Sequence, residues 1–288
     1  MTMPLVSVCI PTYNNLSGLL RTLICIKNQS YKNLEIIISD NHSPDPIVWK
    51  TILECASNDK RIRAYQQEEN IGVDENYQFV FNRAKGTYCM FAQDDDWWSS
   101  SFIEKLVDEL EQTGAPVAIS NAQYINSNGI KSGIHTFEHV SPYNVIGNGE
   151  IGFICMGLWR REAYKKYIVR IPIFVIGGDH ITIAQVMMAT GKEIPVVHSE
   201  LYLKGLQEGR FSYCFNIDFW YSFKTWCFLM MSLLWTPFIP RRRKLLLPII
   251  GITNLVRVCG VMGVQILCML PDGNIVKRMI QKKFFGAN

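Results

Sequence analysis

Long apolar runs are missing from this sequence, which bounds its relation to a membrane. The uncharged runs toward the C-terminus, residues 225–240, 245–256 and 258–271, hold sixteen, twelve and fourteen residues, whereas a spanning helix needs about 20. Prolines interrupt any longer reading, so these runs are expected to lie in a membrane interface or against the body of the protein. Cysteines paired at metal-ligand spacing are missing as well. The nine cysteines, at positions 9, 25, 55, 89, 155, 214, 227, 259 and 268, are odd in number and sit mostly inside apolar runs. That pattern argues against a zinc site or a disulfide framework and predicts buried free thiols in a reducing compartment. No basic leader or cleavage site precedes the apolar stretch Val6-Ser7-Val8-Cys9-Ile10, so the expected location is the cytoplasm. Repeats and low-complexity segments do not stand out. With 48% hydrophobic and 19% charged residues, the chain is neither disordered nor an ordinary multi-span membrane protein.

Acidic residues are scarce at one end. Residues 240–288 contain nine basic residues (Arg241, Arg242, Arg243, Lys244, Arg257, Lys277, Arg278, Lys282 and Lys283) against one acidic residue, Asp272. The tail thus carries +8, and the rest of a chain with net charge +4 carries −4. Because the charges are interleaved with Leu, Ile, Val and Met, they point to an anionic membrane surface and away from nucleic acid, which favours aromatic stacking platforms. A helical extension packed on the body is the alternative. The 288 residues fit one large domain with an appendage. The change in character divides them into a body, 1–210, and a C-terminal apolar and basic helical extension, 211–288.

What the chain contains is an alternation of strand-like and helix-like segments. Residues 5–10 form an apolar run closed by Pro11, which has no N–H for a central ladder. Residues 16–29 place Leu16, Leu19, Leu20, Leu23, Ile24 and Ile26 at helical spacing, and 34–39 form a buried strand ending at Asp40. A turn through Asn41-His42-Ser43-Pro44-Asp45-Pro46 leads to a helix to about 57, a strand over 62–66 and a turn at Asn70-Ile71-Gly72. A helix over 73–84 is broken by Gly86 before a strand over 87–91. Ser100 or Ser101 is placed to cap a helix over 102–112 that Gly114 stops. Residues 117–120 read as a strand, and 123–135 as a hairpin about Asn128-Gly129. Apolar runs at 151–161 and 171–176 precede a helix over 181–190 ended by Gly191. The alternation predicts an α/β fold, a mostly parallel Rossmann-like sheet with flanking helices and right-handed crossovers. Ligands of such sheets bind at the C-terminal strand ends, where Asp40 and the triplet Asp94-Asp95-Asp96 both fall.

Three adjacent carboxylates repel one another and are poor strand formers, so their place after a buried-looking strand needs a cause. A divalent cation is one, since hard oxygen ligands suit Mg2+ or Mn2+, ions that keep water and substrate phosphate in their shell. A solvated acidic loop explains the triplet equally well when it is taken alone.

Taken in order, Val6-Ser7-Val8-Cys9-Ile10-Pro11-Thr12-Tyr13-Asn14, Ile38-Ser39-Asp40-Asn41-His42-Ser43, Asn70-Ile71-Gly72, and Ala84-Lys85-Gly86-Thr87-Tyr88 leading into Asp94-Asp95-Asp96-Trp97-Trp98 resemble the signature of family 2 glycosyltransferases with the GT-A fold. The likeness runs from residue 5 to about 205. It implies that 1–210 is a catalytic domain in which Pro11, Thr12, Tyr13, Asp40 and Asn70 bind a nucleotide sugar, with Asp40 accepting from the base, most often uracil. On the residues alone, Tyr13 could instead pack on the following helix, and Asp40 could cap a turn. The metal-binding DXD motif falls in the triplet, with Gln93 standing where many relatives have Asp. The resemblance then assigns the Mn2+ or Mg2+ ion to Asp95, turns Asp94 toward ribose or water, and leaves Asp96 as a supporting or helix-capping residue. Trp97 and Trp98 match an aromatic pair near the acceptor sugar, unless either belongs to the core. Gly177-Gly178-Asp179-His180 resembles the second carboxylate motif, in which Asp179 is the catalytic base. Asp179 would also serve as N-cap of a helix beginning at Ile181. His180 is structural or acceptor-contacting.

The resemblance implies an inverting, metal-dependent enzyme that moves a sugar from a nucleotide-diphosphate donor, uridine-linked, to a lipid-linked saccharide. The basic apolar tail is what makes the expected acceptor lipid-linked and the chain peripheral on the inner face of the cell membrane, as in bacterial surface polysaccharide assembly of O-antigen or capsule type. Transfer to polyprenyl phosphate, an acceptor already anionic and needing no base, is one alternative. A non-catalytic nucleotide-sugar-binding membrane scaffold is the other.

Overall fold

The computed structural model describes residues 3–94, 96–126, 131–136, 140, 157–168, 178–206, 227, 230–231, 233–234 and 236–245. The expectations for Asp95, the turn at Asn128-Gly129, the apolar run 171–176 and the tail beyond 245 lie outside the described residues. Four strands, β1 (Val6–Thr12), β2 (Leu34–Asp40), β3 (Ile62–Gln66) and β4 (Tyr88–Phe91), lie parallel in the order β3-β2-β1-β4. Helices α1 (Leu16–Lys27), α2 (Pro46–Asn58) and α3 (Val73–Asn82) connect them. β1 is buried along its whole length and β2 nearly so, as their unbroken aliphatic runs require of central parallel strands. Beyond β4 the sheet turns antiparallel. β5 is Trp97–Trp98, β6 Val117–Asn126, β7 Lys131–His135, β8 Gly157–Arg160 and β9 Val196–Leu206. β8 pairs with both β4 and β6, the order continues β6-β9-β5, and β7 pairs with β6. The mixed α/β architecture with flanking helices is the one expected.

Several local expectations are corrected. β1 does not stop at Pro11 but runs to Thr12, still in register with β2 through Pro11 opposite Ser39 and Thr12 opposite Asp40. Cys9 O accepts from Ala92 N on the β4 side and Thr12 O from Asn41 N on the β2 side. Alternation along the strand therefore turns Pro11 toward β4, which has ended at Phe91, so its missing N–H interrupts no ladder. Ser101 is the N-cap residue of α4 (Phe102–Thr113), yet its side chain makes no capping bond. Buried Gln29 supplies it instead, accepting from Ile103 N at 3.1 Å while donating to Ser99 O at 2.7 Å. α4 buries Phe102, Ile103, Leu106, Val107 and Leu110 and ends at Gly114 with φ 61°, a left-handed stop that glycine alone adopts freely. The strand expected over 117–120 and the first arm of the hairpin are one strand, β6.

The five cysteines among the described residues are free, but not all are buried. Among the described residues, Cys9 and Cys89 lie in the core, where burial pushes both thiols up and keeps them protonated. Cys25, Cys55 and Cys227 are partly exposed, the first two because amphipathic α1 and α2 leave a flank to solvent.

The chain forms two compact units, one of residues 1–122, 154–166 and 195–205, the other of 123–153, 167–194 and 206–288. The first holds the parallel strands and α5 (Arg161–Tyr167) through Lys166. In the second, α6 (Gly178–Thr190) packs on residues 233–243, with Gln185 donating to Thr236 Oγ1 at 3.2 Å and Leu233, Thr236 and Ile239 buried. Over that stretch Arg243 is packed on α6, whereas Arg241 and Arg242 are exposed. Among the described residues, no helix is long and apolar enough to cross a membrane.

Candidate functional site

The C-terminal rim of β1 and β4 is a hydrogen-bonded assembly built from three elements. Thr12, the last residue of β1, donates from Oγ1 to Asp94 Oδ2 at 2.8 Å. Asn15, the N-cap of α1, accepts from Gly18 N and donates from Nδ2 to the Asp94 carbonyl at 2.8 Å. Thr22, one turn on, donates to the Gln93 carbonyl at 2.9 Å. The acidic loop is therefore seated on the first two turns of α1. Gly18 makes this close approach: a Cβ there would stand 1.8 Å from the Asp94 carbonyl oxygen. Asn15, Gly18 and Thr22 escape sequence reasoning, since a polar cap and a glycine in a first turn have ordinary helical explanations.

The neighbouring rim, at the end of β2, is organised by amide and carboxylate side chains. Asp40 is fully buried. Its Oδ1 accepts from the backbone N–H and the hydroxyl of Ser43, and its Oδ2 from Gln66 Nε2 at 3.1 Å. This is the turn-capping arrangement, and it uses three of the roughly four lone-pair positions a carboxylate offers. Asn41 donates to Asn70 Oδ1 at 2.9 Å and accepts from Ile71 N, while Asn70 Oδ1 also accepts from Gly72 N. The predicted nucleotide-site residue Asn70 thus ties the loop before α3 to the end of β2. Asn14 and His42, the residues just beyond the two strands' last turns, have φ of 50° and 61°. Left-handed backbone at two non-glycine residues on one rim is local strain of the kind that gathers at functional sites. Asn14 N donates to Ser43 Oγ at 2.8 Å, joining the two loops, and Tyr13 between them is 46% exposed.

Asp96 faces the other way. It is buried, and its Oδ2 accepts from the Tyr202 hydroxyl at 2.6 Å. Tyr202 lies on β9 opposite Trp98, with ring centroids 5.9 Å apart. Asp96 is thus anchored to β9 and is not a helix cap, since α4 begins only at Phe102. The two tryptophans separate. Trp98 is a core residue, whereas Trp97 is half-buried with the Arg21 guanidinium 5.2 Å from its ring centroid. Tyr202 had no signal in the sequence, being more than a hundred positions from its partner.

Asp95 lies between these anchored neighbours, outside the described residues. Asp179 and His180 belong to the second unit, in the first turn of α6. Because α6 starts at Gly178, Asp179 falls inside the helix and not at its N-cap. Asp94, whose carboxylate and carbonyl both sit on the rim, offers hard oxygen chemistry suited to Mg2+ or Mn2+. Among the described residues, no three His, Cys, Asp or Glu side chains gather closely enough to hold an ion. An ion here would complete its shell with water and substrate phosphate.

A parallel half-sheet whose C-terminal rim gathers polar side chains from successive strands places the chain among the crevice-binding α/β proteins. The family model described as Glycosyl transferase family 2 matches residues 7–168, and the chain belongs to that family. It is 27% identical over 162 residues to TuaG of Bacillus subtilis, named as a teichuronic acid biosynthesis glycosyltransferase, covering 55% of this chain and 64% of that protein. A Campylobacter jejuni protein named GalNAc(5)-diNAcBac-PP-undecaprenol beta-1,3-glucosyltransferase is 32% identical over 116 residues, covering 40% of this chain and 37% of its own. The match thus spans less than two thirds of either relative. Among solved structures, Staphylococcus aureus TarS 1–349 in complex with UDP superposes with a TM-score of 0.61 at 18% identity, covering 81% of this chain and 66% of that one. At that identity the likeness is one of fold.

Proposed function

We propose that this chain transfers a sugar, with inversion, from a uridine-linked nucleotide-diphosphate donor to a hydroxyl of a lipid-linked saccharide, in the assembly of a bacterial surface polysaccharide. The observation that carries the reading is the seating of the Asp94 loop on Thr12 and α1 within a family 2 chain. The TarS complex with UDP supports the donor class. The undecaprenol-linked saccharide in the name of the Campylobacter relative supports the acceptor class, and the teichuronic acid of TuaG supports the setting. The work is done in the cytoplasm at the inner face of the membrane, within a catalytic domain of residues 1–210.

In this mechanism the acceptor hydroxyl attacks the anomeric carbon from the face opposite the diphosphate. Asp179 takes the hydroxyl proton as the new C–O bond forms and the bond to the diphosphate breaks, so a single displacement inverts the centre. Asp95, beside Asp94, would hold a divalent cation, Mn2+ or Mg2+, which when bound would supply positive charge against the departing diphosphate. Tyr13 offers its exposed ring to the base, Asp40 its remaining lone pair, and Pro11, Thr12 and Asn70 line the nucleotide. Trp97 and His180 are the residues assigned to the acceptor sugar, and Trp98 is buried in the core.

The test is nucleotide release by the purified chain across a panel of nucleotide sugars with Mn2+ or Mg2+ and lipid-linked acceptors. Asp95→Ala and Asp179→Asn are each expected to lower turnover at least about a hundredfold. Turnover within a few-fold of wild type in either would overturn the assignment. Loss in Asp95→Ala with retention in Asp179→Asn would favour polyprenyl phosphate as acceptor. Cation-dependent nucleotide binding without turnover across the panel would favour the scaffold.

A further inference from the structure

The segment containing Arg241-Arg242-Arg243-Lys244 has two faces of different chemistry. Its inner face belongs to the protein. The Arg243 guanidinium donates to Met188 O and Ala189 O at 2.8 Å each and to Thr190 O at 3.3 Å. These are last-turn carbonyls of α6, acceptors with no partner inside their own helix and a place where a cation is favoured. Gly191, with φ 69°, leaves the room: a Cβ there would meet Arg243 Nη2 at 2.0 Å. Lys244 donates from Nζ to Leu234 O at 2.6 Å. Two of the four cations are thus engaged with backbone carbonyls.

Among the described residues, the outward side chains are not so engaged, apart from Phe238, whose ring lies 6.3 Å from that of Tyr167 between centroids. Arg241 and Arg242 are exposed, and the same fifteen-residue stretch, 231–245, exposes Met231 at 56%, Leu234 at 47%, Phe238 at 46% and Leu245 at 77%. Large apolar side chains interspersed with guanidinium groups are costly to keep in water. An anionic lipid interface satisfies both, taking apolar groups at the acyl boundary and cations at the phosphates. The charge of the following sequence agrees, because residues 246–288 add five basic residues against Asp272.

We propose that the outer face of residues 231–245 docks on an anionic phospholipid surface. Arg241 and Arg242 meet headgroup phosphates, and Met231, Leu234, Phe238 and Leu245 enter the headgroup boundary, while Arg243 and Lys244 fasten the segment to the protein. The inference rests on the membrane location proposed above and is independent of sugar transfer. Its consequence is that α6 is moored at one end to the membrane-facing segment and carries Asp179 at the other, about 17 Å away at 1.5 Å per residue.

The test is flotation of the full chain with phosphatidylcholine vesicles, with and without about one third phosphatidylglycerol, without donor or acceptor. Wild type is expected to float with the anionic vesicles only. At about 1 kcal/mol per cation, Arg241→Glu with Arg242→Glu lowers the partition coefficient at least about thirtyfold. Met231→Ser with Leu245→Ser lowers it about tenfold or more, and both pairs, being exposed, keep the wild-type melting temperature. Failure of wild type to float would overturn the membrane location together with the docking face. Flotation of wild type and both variants alike would keep the location and overturn this face, moving the contact into residues 246–288.

Discussion

Thr12 and Asp94, eighty-two positions apart in sequence, meet through a 2.8 Å hydrogen bond from hydroxyl to carboxylate. The bond joins the end of the central strand β1 to the loop leaving β4, so the register of the parallel sheet is passed directly to the acidic loop. It also gives Asp94 an occupation that sequence reasoning, with its choice of ribose or water, did not foresee.

Removing that bond should loosen the loop without unfolding the protein. Thr12→Val keeps the shape of the side chain and loses a hydrogen bond to a charged group, worth about 1.5–3 kcal/mol where it is well formed. Nucleotide affinity measured by calorimetry in the presence of Mn2+ should fall about tenfold, with far-ultraviolet circular dichroism unchanged and Thr12→Ser close to wild type. Equal affinity in the valine variant would mean that α1 holds the loop unaided.

Gly18→Ala discriminates between helix propensity and loop seating. Alanine in a helix is favoured over glycine by about 1 kcal/mol, so an indifferent site would be stabilised. Here the added methyl meets the Asp94 carbonyl oxygen at 1.8 Å and Asn15 Nδ2 at 2.2 Å, backbone and cap together. The expected outcome is a net loss of about 1–3 kcal/mol, read as a lower melting temperature, with a parallel fall in nucleotide affinity. A higher melting temperature would show that the loop shifts at little cost.

The parallel half of the fold was legible because each crossover carries its own punctuation. Pro46 opens α2, capped by Asp45; Gly72 opens α3 and Gly114 closes α4; and unbroken aliphatic runs mark buried strands. The antiparallel half was not legible. Trp97–Trp98 is too short to show a period and becomes a strand only through pairing with Tyr202 and Leu203, a contact no local pattern encodes. The cap of α4 is hidden likewise, since Gln29 reaches it from the end of α1. In the basic segment four consecutive cations look alike, and only the fold separates Arg243, spent on α6, from Arg241 and Arg242 at the surface. Asp40 was legible as important but ambiguous in role, because a turn cap and a ligand group demand the same side chain.

Tyr202→Phe tests the second anchor of the triplet. Asp96 is buried, and the phenol donates to it at 2.6 Å. Removing a donor from a buried carboxylate costs about 1–3 kcal/mol or more, while the ring and its contact with Trp98 remain. Denaturant unfolding should show that loss with an unchanged slope. Nucleotide affinity should fall less than in Thr12→Val, because Asp96 faces β9 and not the rim. A stability equal to wild type would place the buried charge on other partners.

The turn into β3 offers a prediction in pH. Asp59 accepts from Arg61 Nη2 at 2.8 Å and from Arg61 Nε and its backbone N–H at 3.0 Å, and these bonds from Arg61 hold the carboxyl below its ordinary value. A carboxyl lowered in the folded state binds its proton more tightly when unfolded. Its contribution is therefore complete above the unfolded value of about 3.9 and is lost as pH falls below that toward the lower folded value. Asp59→Asn should cost about 0.5–1.5 kcal/mol at pH 7, the scale of a single partly exposed ion-paired hydrogen bond. The difference from wild type should hold steady down to about pH 5 and shrink between there and pH 3. Melting temperatures of the two proteins across that range decide it: a gap that persists undiminished at pH 3 would assign the loss to turn geometry and not to charge.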